Sequence, residues 1–423
     1  MTGRTGEPGW TAPRGMRDFY PDAMARRNRV FDAWKRAAQQ FGFQEYDACV
    51  VETLDLLQRK SGEEIVRQIY AFEDKSGRKL ALRPEMTPTL ARMVAARQNS
   101  LSFPLKWFAI AQCFRYERMT RGRKREHYQW NLDIVGENDV SAEAEVIACA
   151  VHALRLLDLG SSDLQVRFSS RALLGDMLAA LRVPESRHAE VFLALDKMNK
   201  VDESVVQEWL EKAGVAGECR TRILELMRIR HLPDTLHVLT GKTPAYLAAE
   251  RLLELMARYG LSDMVSFDVS VVRGLNYYTG IVFEAFDRDG AFRALFGGGR
   301  YDTLLAETGG APIGAVGLGF GDVVLGEILG QRSGAGPGHA VDLAVAFMNE
   351  EQRAPAMRLA QALRHEGRSV ELGLRPEKAK AFFSRAVKTG ASEAAFIGPD
   401  DLAAGCARIK NLHTRQEHTR TLP

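Results

Sequence analysis

The chain is poor in several features that would narrow its chemistry quickly. Its five cysteines, Cys49, Cys113, Cys149, Cys219 and Cys406, are odd in number, far apart and include no C-x-x-C pair. Such spacing suggests neither a disulfide framework nor a zinc site. The nine histidines are equally scattered. No apolar run is long enough to span a bilayer. The opening stretch MTGRTGEPGWTAPRG lacks the apolar core of a secretory signal. A reducing, soluble, cytoplasmic setting without membrane contact is the expectation. An excess of one charge is also missing. The 57 Lys and Arg face 54 Asp and Glu, a net charge of +3, so any basic surface for nucleic acid must be local. Neither a G-x-x-x-x-G-K-[ST] loop nor a dinucleotide fingerprint after a first strand occurs.

What remains is an ordinary globular composition. The 423 residues, 46% hydrophobic and 26% charged, suffice for two or three domains. The first dozen residues read as a flexible tail. Residues 22–41 place Val30, Phe31, Trp34, Ala38 and Phe41 at helical spacing, with Gly42 as a stop. A strand, FQEYDACVV, follows, then a polar helix near 55–67 and a hairpin turning at Ser76-Gly77. Residues 105–116 and 127–135 read as antiparallel strands around a very basic loop, and 142–158 as a helix. Residues 171–262 are rich in Leu and Ala at helical spacing and read as a helical insertion. Strands return with MVSFDVSVV, where Val265, Phe267, Val269 and Val271 share a face. The Gly-rich stretch 330–340 reads as a linker. Beyond it, strands alternate with helices, which implies a small α/β domain over 341–423.

Three constellations could carry chemistry. In HYQWNLDIVG, alternation puts Gln129, Asn131 and Asp133 on one face. In ALRPEMT, Arg83, Glu85 and Thr87 alternate likewise, although Pro84 weakens a strand there. Arg115 ends the one-faced run Trp107, Ala109, Ala111, Cys113. One polar strand face is usually just solvated; three such stretches point to a polar binding floor. The loop RYERMTRGRKRE (115–126) has six cations against two acids. A charge run is most often a solvated tip, but this one leaves the polar floor directly, which makes phosphate or an RNA backbone a reasonable target. In ALFGGGRYD, consecutive glycines in or beside a strand permit close backbone approach. A nucleotide bound there would lie on an antiparallel sheet.

These stretches resemble the histidyl-tRNA synthetases, a class II aminoacyl-tRNA synthetase family. The resemblance runs from PRGMRDFYP through LALRPEMTPTLAR, the second class II motif FRYERMTRGRKREHYQWNLDIVG, the histidine-specific stretch VRGLNYYTGIVFEAF, FGGGRYDTLL and GAVGLGFGD into the last domain. It implies an α+β catalytic domain built on an antiparallel sheet (13–170 and 263–329), interrupted by the insertion, plus a C-terminal α/β anticodon-binding domain. It implies attachment of L-histidine to tRNA(His) through a histidyl-adenylate, with ATP as substrate, Mg2+ alongside it, and a homodimer. It places Arg115 on the α-phosphate and Arg273 between that phosphate and the histidine carboxylate. Glu85, Thr87 and Gln129 would take the amino group. Asp133 and Tyr278, with Tyr277 beside them, would serve the imidazole. Glu117 would read the adenine amine and Arg123 the distal phosphates.

Three positions depart from the family pattern. Asn276 stands where an Asp commonly precedes the tyrosine pair. Cys49 stands where the first motif normally has a proline. Val324 stands where the third motif usually ends in an arginine against the adenine, for which Arg300 is the candidate replacement. From 341 to 423, four Lys and nine Arg against ten acids leave 13 − 10 = +3, compatible with RNA contact. The rival reading is a non-catalytic histidine sensor that regulates histidine biosynthesis. The domain after the linker and the retention of Arg115, Glu117 and Arg273 argue against it; Val324 argues mildly for it. A synthetase for another amino acid is a second rival, opposed by Tyr277, Tyr278 and Asp133.

Overall fold

A computed structural model describes residues 10–60, 66–120, 122–198, 201–274, 277–332 and 341–423. Most of the expected tail therefore lies outside the described residues. The chain divides into two compact units, Met1–Asp18 with Arg29–Leu329, and Phe19–Asn28 with Gly330–Pro423.

The first helix, α1 (Pro21–Gln40), buries Val30, Ala33, Trp34, Ala37 and Ala38, the stripe its spacing requires. The stretch expected as one strand is broken into β1 (Gln44–Glu45) and β2 (Val51–Thr53), which join different sheets. The break has a local cause. Asp47 accepts the N–H of Ala48 at 2.7 Å, and the buried Arg83 takes the Ala48 carbonyl at 2.9 Å. Helix α2 (Leu54–Lys60) begins the expected polar helix, and residues 61–65 lie outside the described ones. Strands β3 (Ala71–Glu73) and β4 (Lys79–Leu82) form the hairpin. In its turn Asp74 accepts two backbone N–H groups, and Gly77 takes φ +77°. Pro84 ends extended structure, and α3 (Thr87–Arg97) follows with a proline in its first turn.

Strands β5 (Leu105–Phe114) and β6 (Glu126–Val135) pair antiparallel over ten residues each, from Leu105↔Val135 to Phe114↔Glu126. After α4 (Ser141–Arg155) comes β7 (Leu164–Ser170), a strand the sequence reading passed over. Residues 171–262 then supply α5 (Arg171–Ala180), α6 (Glu185–Leu195), α7 (Glu203–Lys212), α8 (Gly217–Leu226) and α9 (Pro244–Arg258). Strand β8 is only Val265–Phe267, shorter than expected. Asp268 turns the chain by accepting the N–H and hydroxyl of Ser270. Strands β9 (Ile281–Asp287), β10 (Phe296–Arg300) and β11 (Ala315–Gly321), with α10 (Leu304–Glu307) between the last two, lead into α11 (Asp322–Arg332). Residues 330–332 thus finish a helix, and 333–340 lie outside the described residues.

The large sheet has eight strands in the order β1-β5-β6-β11-β10-β9-β7-β8, antiparallel except at its two edge pairs. Alternation divides its chemistry. Phe108, Trp130, Leu132, Val316, Leu318 and Phe320 belong to one core with Trp34 and with Ala144, Ile147 and Val151 of α4. Trp34 stacks on Trp130 at 5.8 Å. The opposite face, carrying the alternate residues, holds the polar groups described below.

The second unit has its own five-stranded sheet, with β12 (Leu343–Phe347) between β13 (Val370–Leu372) and β14 (Glu393–Ile397) in parallel. The hairpin β15 (Cys406–Asn411) and β16 (Glu417–Thr421) extends it antiparallel. Leu343, Val345 and Phe347 pack with Leu359 and Leu363 of α12 (Glu350–His365). Ala344 and Ala346 pack with Phe382 and Ala386 of α13 (Ala379–Lys388). A short α14 (Pro399–Ala404) completes the α/β architecture.

Candidate active site

The polar face of the large sheet is built by parity and by the absence of side chains. Pairing puts Asp133 opposite Trp107 and Gly317, Asn131 opposite Ala109 and Gly319, and Gln129 opposite Ala111 and Gly321. Apart from Trp107 at one end, small residues therefore flank the polar row on β6. The next strand continues the pattern, with Gly297↔Gly319 and Gly299↔Gly317. A Cβ at Gly317 would stand 1.9 Å from Asp133 Oδ1, one at Gly319 2.7 Å from Gln129 Nε2, and one at Gly297 2.0 Å from Arg273 Nη1. One at Gly299 would meet the Tyr278 ring at 2.9 Å. The glycine run thus makes room for side chains of the protein itself, a role its sequence did not disclose.

Two cavities lie against this face, one of about 640 Å³ and one of about 170 Å³. Arg115, Gln129 and Arg273 line both, with Ala294 and Leu295. Arg115 follows β5 and donates from Nε to the Pro84 carbonyl at 2.8 Å. Arg273 donates to Glu284 at 2.6 Å from a backbone with φ +57°. For an arginine that conformation costs roughly 1–2 kcal/mol. Burial works against its charge, but Glu284 and the neighbouring phenols more than offset this, and its pKa is raised. The guanidinium is a permanent cation.

The smaller cavity is lined by Glu85, Thr87, Tyr277, Tyr278 and Tyr301 as well. Glu85 and Thr87 arrive on the turn into α3. The Tyr277 hydroxyl donates to Glu85 at 3.1 Å. Burial, with the charge of Glu85, holds the Tyr277 and Tyr278 phenols above their ordinary pKa, so both remain hydrogen-bond donors. Asp133 lies beneath Gly317, which lines the cavity, and its Oδ1 accepts from the Tyr301 hydroxyl at 2.7 Å. Its Oδ2 is buried with no hydrogen-bond partner among the described residues. Burial pushes the Asp133 pKa up to about 7, with the Tyr301 hydrogen bond opposing. A buried acceptor left open beside phenol donors suits a ligand N–H.

The larger cavity is strongly basic. Arg123, Lys124, Arg167 and Arg293 join Arg115 and Arg273 on its wall. Arg123 lies 2.9 Å from Glu117, so these two expected nucleotide contacts face each other across an ion pair. His127 extends the Gln129-Asn131-Asp133 row by one step of the same parity. Burial and the charge of Arg115 push its pKa down to about 3, leaving a neutral imidazole on the wall.

Several expectations need correction. Arg300 lines neither cavity. Its guanidinium is buried in a two-point ion pair with Glu143, both contacts at 2.6 Å, and also donates to the Glu137 and Asp139 carbonyls. It ties β10 to the helical layer and is not free to meet a nucleotide. Arg83 leaves the polar floor for the Ala48 and Gln112 carbonyls. Arg125 of the basic loop stacks on Tyr116 at 3.8 Å. Val324 does line the larger cavity, so at that position the wall carries an apolar side chain where the family usually has an arginine. Cys49 is exposed just before β2. Asn276 lies outside the described residues. Among those described, no group of three or more His, Cys, Asp and Glu is placed to hold a metal. On the larger cavity's wall Glu117, Glu284 and Asp268 are paired with Arg123, Arg273 and Arg230, and Asp196 sets its charge toward Arg171. The donor set does not fit a protein-held Mg2+.

Sequence reasoning missed His127, Tyr301, Arg167, Asp268 and Asp196 as wall residues. His127 was legible from the parity of β6. Tyr301 follows the glycine strand directly. Arg167 required recognising β7, and Asp196, at the end of α6, reaches the cavity only through tertiary packing.

Comparison with known proteins places these observations. Residues 15–321 match the family model described as histidyl-tRNA synthetase, and residues 342–422 match that described as anticodon binding domain. A histidine--tRNA ligase of Opitutus terrae is 42% identical over 411 residues, covering 95% of this chain and 94% of that protein. The chloroplastic/mitochondrial histidine--tRNA ligase of Arabidopsis thaliana is 41% identical, covering 96% of this chain and 84% of that protein. The crystal structure of histidyl-tRNA synthetase from Nostoc sp. PCC 7120 superposes with a TM-score of 0.81 at 22% identity, covering 98% of this chain and 97% of that one.

Proposed function

The chain belongs to the histidyl-tRNA synthetase family, and from that membership we propose that the two adjoining cavities join L-histidine to ATP and then pass the histidyl group to tRNA(His). The observation that carries this reading is the position of Arg115 and Arg273 on the walls of both cavities. Histidine occupies the smaller one. Its ammonium faces Glu85, Thr87 and Gln129, and its imidazole faces Asp133, Tyr278 and Tyr301. ATP occupies the larger, basic one, with its α-phosphate at the seam.

A carboxylate oxygen attacks the α-phosphorus, and pyrophosphate leaves. Two anions must approach, and charge builds on the phosphoryl oxygens. Fixed guanidinium groups oppose that charge, and they do so without reorganising. Arginine stays protonated throughout, so Arg115 and Arg273 stabilise charge and move no proton. In the second step a hydroxyl of the terminal tRNA ribose attacks the histidyl carbonyl and AMP leaves. Pairing both imidazole nitrogens rejects apolar side chains, because they would strand buried polar groups. Glu117 and Arg123 open their mutual pair to take the adenine amine and the distal phosphates. Mg2+ is expected to arrive on the phosphates of ATP, a common mode for this ion. The second unit binds the anticodon, and the active form is a cytoplasmic homodimer. No helix among the described residues is long and apolar enough to cross a membrane. The sensing alternative gains no support, since the domain it would lack matches the anticodon-binding model.

The test is isotope exchange between pyrophosphate and ATP, run with each amino acid in turn, followed by tRNA charging. Histidine alone should drive exchange. Histidine binding without exchange would instead make the chain a sensor.

A further inference from the structure

We propose that Arg171, backed by Phe192 and Asp196 of the helical insertion, is a positioning clamp for the segment that carries Arg273, Tyr277 and Tyr278. The inference rests on the functional reading above and assigns the insertion a part in histidine activation.

Arg171 opens α5 directly after β7 and is buried. Its backbone N–H donates to the Gly280 carbonyl at 2.9 Å. Its Nη1 donates to the Tyr278 carbonyl at 3.3 Å. Its guanidinium lies 4.8 Å from the centre of the Phe192 ring, on α6. One residue therefore holds two carbonyls at the end of the segment. A lysine would lack the planar fork that spans a ring face and a carbonyl together. One helical turn beyond Phe192, Asp196 sets a negative charge toward Arg171. Its Oδ2 also lies 2.9 Å from where a Cβ on Gly274 would stand. The end of α6 thus touches the start of the segment, while Arg171 holds its end. Directly before the first of these supports, Arg273 keeps its left-handed backbone. A residue in that conformation stays there only when its surroundings over-determine it. Thr279, bonded to the Arg300 carbonyl and to Asp302 at 2.7 Å, fixes the segment to the sheet. The insertion fixes it from the other side.

Arg171 lines neither cavity; it acts through the backbone of Tyr278. Three full-length variants test this: Arg171→Ala, Arg171→Lys and Asp196→Asn. Hydrogen–deuterium exchange should show the amides of residues 277–282 in Arg171→Ala exchanging at least about tenfold faster, with β5 and β6 unchanged. In pyrophosphate exchange, kcat/KM for histidine should fall about 10- to 100-fold, the cost of a small misplacement of reacting groups. KM for ATP should stay within about threefold, and Arg171→Lys should recover part of the loss. Wild-type exchange rates at 277–282 in folded Arg171→Ala would overturn the clamp. So would equal acceleration in β5 and β6, which would mean general destabilisation. Should Arg171→Ala fail to fold, Asp196→Asn carries the same amide measurement with the same two outcomes. Absence of histidine-driven exchange in the wild type would sink the functional reading, while the amide measurement would still decide the clamp.

Discussion

The side chains that converge on the two cavities depend on atoms missing around them. Arg273 can lie across β10 only because position 297 has no Cβ. Gly297→Ala should displace the guanidinium and lower histidine-dependent exchange about 100-fold, the scale of a misplaced catalytic group. Gly326→Ala, in α11 with nothing within 4 Å, should leave exchange intact and stabilise the protein by about 0.4–1 kcal/mol. Parallel exchange assays and denaturant melts check both. Asp133 gives a pH prediction. Burial raises its pKa from 3.8 to about 7 in the histidine-free fold. The folded state therefore holds a proton that the unfolded state has released between these values, and stability falls as pH rises through that window. Asparagine cannot ionise. Asp133→Asn should gain in melting temperature relative to wild type between pH 5 and pH 8, without histidine, while its KM for histidine rises at least about tenfold. A relative loss over that pH range would mean that the carboxylate is stabilised where it lies.

Strands and helices contribute through parity and through a few buried ties. On β6 the residues Gln129, Asn131 and Asp133 share the sheet face that carries the cavities, and Gln129 lines both, while Trp130, Leu132 and Ile134 face the core. A one-residue slip would exchange the two sets. The pair Arg300–Glu143 joins β10 to α4 with two contacts of 2.6 Å. Removing one partner leaves a buried charge without compensation, which typically costs about 3–5 kcal/mol. Arg300→Met should therefore melt early. KM for ATP, measured on the folded fraction, should match wild type, whereas a residue on the nucleotide would raise it.

At the scale of the whole molecule, the two cavities and the stretch that matches the anticodon-binding model fall in different units. Every residue assigned to the two cavities lies in the first unit, and the second has its own sheet and cores. A chain ending at residue 337 should keep histidine-dependent exchange within about tenfold of wild type. It should lose tRNA charging more severely, as a rise in KM for tRNA. Equal losses in the two assays would make the second unit structural. Because Phe19–Asn28 group with that unit, the truncated chain should also show faster amide exchange at the start of α1.

Residue order alone carried the antiparallel pair β5–β6, the polar row on β6, the basic loop, the helical character of 171–262 and the α/β plan of the last domain. Each is written in local spacing, where a period of two or of about 3.6 residues assigns a face. In the candidate site, the same spacing put Gln129 and Asp133 on one face of β6 and Arg115 at the end of the one-faced run on β5, whereas Tyr277 and Tyr278 entered through the family resemblance. Long-range packing set the rest. Arg300 and Arg83 look like site cations in the sequence, yet each is drawn away by acceptors distant in the chain, Glu143 and the Ala48 carbonyl. The glycines of β10 and β11 showed that space was needed, and only the register between those strands and β6 revealed which side chains fill it. Asp196 gives no local signal at all, because a helix end placed beside Gly274 is a fact of three-dimensional contact, to which spacing along the chain is blind.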